Sequence, residues 1–153
     1  MPMPIMRKTK PELKLSVQYA VKSADSPSRS QIRAWSSATL EGDTLVTIRI
    51  VDEDEGRQLN LDYRGKDYAT NVLTFVYDHI PLCHGDLVLC APVVSREATE
   101  QGKLAEAHYA HLIIHGMLHL QGYDHEEGAD AEAMEAVETH IMRRLGYTDP
   151  YAN

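Results

Sequence analysis

The sequence predicts a single α+β domain, a mixed four-stranded sheet packed with helices. Three observations carry that expectation. Segments that alternate apolar and polar residues, rich in β-branched side chains, fill most of the first two-thirds of the chain. From Pro92 onward the apolar residues recur every three or four positions instead, the period of helices. The length of 153 residues suits one domain with a sizeable core. Residues 1–11, with Pro2, Pro4 and Pro11, read as a flexible leader, and residues 12–150 as the domain.

The elements follow in order. Glu12 to Tyr19 sets Leu13, Leu15, Val17 and Tyr19 against polar partners, a half-buried strand. After a turn region with Pro27, Ser28 or Ser30 can cap a helix through Ile32, Trp35, Ser36 and Leu40. Gly42-Asp43 breaks to a second strand, Thr44 to Val51, and Asp52 to Tyr63 forms a short helix with Leu59 inward. Thr70 to Tyr77 is expected as the third strand and Asp86 to Cys90, entered through Gly85, as the fourth. Val93, Val94 and Ala98 belong to a short helix ending near Gly102. Leu104 to Gln121 is a long helix closed by Gly122, and Ala129 to Leu145 a last one stopped by Gly146.

No apolar stretch reaches bilayer-spanning length, and the basic leader lacks the apolar core of a signal peptide, so a cytoplasmic protein is expected, with no membrane partner. Cys83 and Cys90 do not have the C-x-x-C spacing of a zinc ribbon or redox pair and read as two reduced thiols. A net charge of −8 argues against generic nucleic-acid coating. The charge is uneven, though: Arg57, Arg64 and Lys66 leave room for a local basic groove. The late acidic run, Asp124 through Glu138, reads as a solvated helix face.

The segment His115-Gly116-Met117-Leu118-His119-Leu120-Gln121-Gly122-Tyr123-Asp124-His125 concentrates the chemistry. His115 and His119, at i and i+4, project from one helix face, and two neutral imidazoles so placed can converge on one metal at about 2.0–2.1 Å. Gly122 lets the chain turn back to bring His125 to a third corner, leaving the fourth open as in catalytic zinc sites. One zinc ion per chain is the favoured cofactor, although nickel, cobalt and copper also suit imidazoles. The spacing is that of metzincin proteases, but their glutamate base after the first histidine is replaced by Gly116. Without that base, chemistry that leans on metal electrostatics fits better than peptide hydrolysis. His111 and His108 lie on roughly the same stripe; His111 is a candidate substrate contact, and Asp124 could accept a hydrogen bond from a ligand imidazole or simply cap the turn.

A second patch runs from Arg64 to Phe75. A guanidinium on a loop can grip a phosphate in two places and stabilise charge in an in-line transition state, which makes Arg64 the catalytic candidate. Lys66 and Asn71 are candidate substrate-binding residues beside it. Here a resemblance becomes specific. His115 to His125 is similar to the signature H-G-x-L-H-L-x-G-Y-D-H of the YbeY family of bacterial zinc-dependent endoribonucleases, at every fixed position. Arg64, Lys66, Asp67, Thr70, Asn71, Val72, Leu73 and Phe75 resemble its second motif, Gly85-Asp86-Leu87 its third, and Leu145-Gly146 with Pro150-Tyr151 its end. Thr74, for the usual serine, and Val76, for a frequent proline, depart from the pattern.

The resemblance implies an α+β fold with zinc at the mouth of a cleft, held by His115, His119 and His125, and Arg64 facing the phosphate. It implies cleavage of single-stranded RNA, in 16S ribosomal RNA 3′-end maturation and ribosome quality control. The small ribosomal subunit and a ribosomal or assembly-factor protein are the implied partners. The residues accommodate either a metal-activated water or a ribose 2′-hydroxyl as nucleophile. Two other readings stand beside it: a non-catalytic, zinc-stabilised assembly factor and a metal-dependent hydrolase of another substrate.

Overall fold

The computed structural model describes residues 10–123 and 128–152. The chain order is β1 (Leu13–Tyr19), α1 (Arg29–Ser37), β2 (Thr44–Val51), α2 (Glu53–Arg64), β3 (Val72–Asp78), β4 (Cys83–Cys90), α3 (Ala91–Glu100), α4 (Ala105–Leu120) and α5 (Gly128–Arg144). The sheet order is β1-β2-β4-β3. β1, β2 and β4 run parallel, and β3 is antiparallel to β4, which leaves β3 at one edge. The fold is therefore the expected α+β domain.

Alternation along the central strands builds two cores. Val46, Ile48 and Ile50 of β2 and Leu87 and Leu89 of β4 face one way, onto Ile32 and Trp35 of α1, most of α4, and Met134, Ile141 and Met142 of α5. Val88 and Cys90 face the other way and pack with Leu73, Val93 and Leu59 of α2. α4 is buried around most of its circumference, from Tyr109 to Leu120, because it is enclosed by the sheet and three helices. Ser28, not Ser30, caps α1, in a full capping box with Gln31.

Two strand starts differ from expectation by two residues or more, and α1 ends at Ser37, short of Leu40. β4 starts at Cys83 rather than Asp86, because Cys83, His84 and Gly85 continue the pairing with β2 past the glycine. β3 starts at Val72 rather than Thr70, because Asn71 turns its side-chain oxygen onto the Val72 N–H. Cys83 and Cys90 are free thiols at opposite ends of one extended strand, roughly 23 Å apart at the usual rise per residue, far beyond bridging reach. Among the described residues no helix is long and apolar enough to cross a membrane.

Gly116 gains a structural reason. A Cβ there would meet Leu87 Cδ2 at 2.5 Å, so α4 lies on β4 at a separation only glycine permits. Gly116→Ala is expected to destabilise the domain by about 1–3 kcal/mol through overpacking. Urea unfolding at matched pH checks this, with the loss appearing in the midpoint rather than the slope.

Candidate active site

α4 carries His115 and His119 to one wall of a cleft of about 590 Å³. The opposite wall is Tyr63 and Arg64, at the end of α2, and the floor is residues 70–75 along the outer edge of β3. Sequence-distant segments thus meet at one sheet edge.

The end of α4 sets His119. Tyr123 N–H donates to the Leu118 carbonyl at 3.1 Å and Gly122 N–H to the His119 carbonyl at 3.0 Å, with Gly122 at φ 107°. This is a Schellman turn, which a left-handed residue makes possible. It places the Tyr123 carbonyl oxygen 3.1 Å from His119 Nδ1. A carbonyl only accepts, so the proton sits on Nδ1 and the lone pair of the neutral ring on Nε2.

His115 is set by a carboxylate. Glu138 of α5 is fully buried. Its Oε1 lies 3.3 Å from His115 Nδ1 and 2.7 Å from His111 Nε2, and accepts from the Tyr151 hydroxyl at 2.8 Å. Burial pushes the Glu138 carboxyl up, but hydrogen bonds and charge from His111 and His115 outweigh it and bring the group down to about 2. The carboxylate therefore draws the His115 proton to Nδ1, again leaving the lone pair on Nε2. This corrects the reading of the acidic run as a solvated face: Glu132 and Glu135 are exposed, whereas Glu138 turns inward. The signal was present in the sequence, since Met134, Glu138, Ile141 and Leu145 share one helical stripe.

Do these side chains suit a metal? Two imidazoles on one face, each with its Nδ1 proton engaged and its lone pair on Nε2, are the donors a divalent transition metal takes. Among the described residues no group of three His, Cys, Asp or Glu side chains gathers as a metal site; His125, the third expected ligand, lies outside them, as does Asp124. The donor chemistry of His115 and His119 fits the group.

Arg64 is the last residue of α2, where its charge complements the helix C-terminus, and Gly65 follows in the left-handed conformation at φ 70°. Its loop is pinned by Asn60 Nδ2 donating to the Tyr68 carbonyl at 2.7 Å and by an Arg57–Asp67 ion pair at 2.6 Å. Arg57 is thereby committed to Asp67, and of the three basic residues 57, 64 and 66 only Arg64 lines the cleft. Lys66 is exposed on the turn beyond it. Asn71 lines the cleft, but its amide nitrogen donates to Glu97 Oε1 at 3.0 Å. His111 faces Glu138 and Tyr151 and lines a different cavity.

The chain is that of an RNA-cleaving enzyme: residues 13–146 match the family model described as Endoribonuclease YbeY. The chain belongs to the YbeY family of endoribonucleases. The curated "Endoribonuclease YbeY" of Aromatoleum aromaticum is 61% identical over 92% of this chain and 93% of its own length. That of Methylobacillus flagellatus is 56% identical, over 94% and 96%. A solution structure of a Thermotoga maritima protein is similar at a TM-score of 0.57 and 26% identity, covering 91% of this chain and 99% of that one.

Behind the floor, Glu97 Oε1 also lies 2.9 Å from His108 Nε2. Burial pushes the His108 imidazole below its ordinary value, against the raising effect of Glu97. Between that lowered value and about 6.5 the unfolded chain binds more protons than the fold, so stability falls as pH drops through that window. Thermal unfolding from pH 8 down to pH 5.5 should show a declining midpoint, and His108→Gln should flatten the decline; equal slopes would remove His108 as its source.

Proposed function

We propose that this cleft is where the chain cuts single-stranded RNA, with His115, His119 and His125 holding one divalent ion, zinc favoured, and Arg64 gripping the scissile phosphate. The observation that carries this reading is the pair of helix-borne imidazoles, each with its Nδ1 against a built-in acceptor, lining one cleft together with an arginine. When bound, the ion would supply Lewis-acid polarisation of a phosphoryl oxygen and a lowered pKa for a coordinated water.

The chain's own residues supply the rest. The Arg64 guanidinium lines the cleft with the two imidazoles, and its planar fork can donate to two oxygens of a phosphate as charge builds in the transition state. Lys66, on the exposed turn beyond, adds charge for a neighbouring phosphate. Asn71 holds the floor through Glu97, and His111 acts on His115 through Glu138 rather than on the substrate. The cellular reading that accompanies this chemistry is 16S ribosomal RNA 3′-end maturation in the cytoplasm, on the small ribosomal subunit and with an assembly-factor or ribosomal protein at hand.

Arg64→Ala is expected to lower kcat/KM for an unstructured RNA by about 10²–10³-fold, the size of losing one preorganised donor to a transition-state oxygen. Metal content and unfolding midpoint should stay those of the wild type; unchanged cleavage would take Arg64 out of the site. Glu138→Gln is expected to weaken zinc binding about 10- to 100-fold, read by competition with a chromophoric chelator. An unchanged zinc affinity in that variant would remove Glu138 as the group that sets His115 for the metal.

A further inference from the structure

Beyond the cleft, across the edge of β3, lies a second cavity of about 430 Å³ on the α2 face of the sheet. Tyr63 and Phe75 line both spaces and so form the ridge between them. Their rings meet edge to face, with centroids 5.2 Å apart and planes at 69°. Tyr63 nevertheless leaves 69% of its surface exposed, directly beside Arg64. An aromatic ring held upright by another ring, with its own surface open to solvent, has the form of a stacking platform.

The cavity behind it is unlike a phosphate site. Leu59 and Val88 form apolar wall. Its charged groups are Arg49, Glu55 and Asp86. Arg49 is closed onto Glu55 by two hydrogen bonds, at 2.6 and 3.0 Å, and Asp86 accepts from the Tyr77 hydroxyl at 2.6 Å. With its one cation closed onto Glu55 and a second carboxylate, Asp86, in its wall, the space is ill suited to a phosphate. It suits a flat, neutral ring that stacks on one side and offers N–H donors to a carboxylate at its edge.

We infer that this cavity is a nucleobase subsite, in which a base flanking the scissile phosphate stacks on Tyr63 while its phosphate stays with Arg64. The inference rests on the cleft being the cleavage site. Tyr63 is a positioning residue here, contributing through the fit of the strand and not through the bond that breaks.

The test uses the metal-loaded enzyme and a short single-stranded RNA carrying one abasic nucleotide, moved along the strand on both sides of the cleavage point. At one flanking position the missing base should lower wild-type kcat/KM about ten-fold or more, chiefly through KM. Tyr63→Ala should show that loss with intact RNA and no further loss with the abasic strand. Tyr63→Phe, which keeps the ring, should recover most of it. Folding is not at stake for so exposed a ring. Intact-RNA kinetics of Tyr63→Ala equal to wild type, or losses that multiply independently at every position, would overturn the subsite. Arg64→Ala run alongside separates the two readings. A dead Arg64→Ala with a normal Tyr63→Ala removes the subsite alone, whereas a normal Arg64→Ala removes the cleft.

Discussion

Everything around the histidines turns on one buried negative charge. A carboxylate taken from water costs several kcal/mol unless nearby groups compensate it. Glu138 meets that cost with three side chains gathered on a single oxygen: His111, His115 and Tyr151. Each comes from a different stretch of structure or a different turn. His111 and His115 are one turn apart on α4, Glu138 is on α5, and Tyr151 lies in the segment after it. Satisfying the charge therefore fixes α5 against α4, the C-terminal segment against both, and the ring of His115. Stability and site geometry are one requirement here.

The same economy appears at the other end of the histidine pair. A helix must end somewhere, and its last carbonyls need donors. The turn at Gly122 supplies them and, one residue later, puts a carbonyl on the His119 ring. What orients the first histidine is tertiary; what orients the second is local. The cleft's far wall is likewise made by a helix stop, with Gly65 ending α2 just after Arg64.

That distinction explains how much the sequence revealed. Strand alternation in Leu13–Tyr19 and Thr44–Val51, a serine cap at 28 or 30 and the glycine at 122 are local, and they were legible. The i, i+4 histidines were legible because helix geometry alone makes them neighbours. Glu138 was masked by its acidic neighbours although it shares a helical stripe with Met134, Ile141 and Leu145, and its burial against α4 makes the inward turn plain. The joining of Arg64 to the histidines came only through the family resemblance, and that of Tyr63 was out of reach, since both depend on strand order, which placed β3 outside β4. His125 cannot be compared, as it lies outside the described residues.

Gly116 carries a consequence for what this scaffold can become. The position after the first histidine is where a metal-dependent peptidase of matching spacing keeps its proton acceptor. In this chain the Cβ direction at that position leads into Leu87 of the sheet, not toward the cleft. Installing a glutamate there would place a carboxyl group in hydrocarbon and pry the helix from the strand. The step from this enzyme to a protease is thus barred by packing, and a designer seeking it would have to move a helix before changing a catalyst.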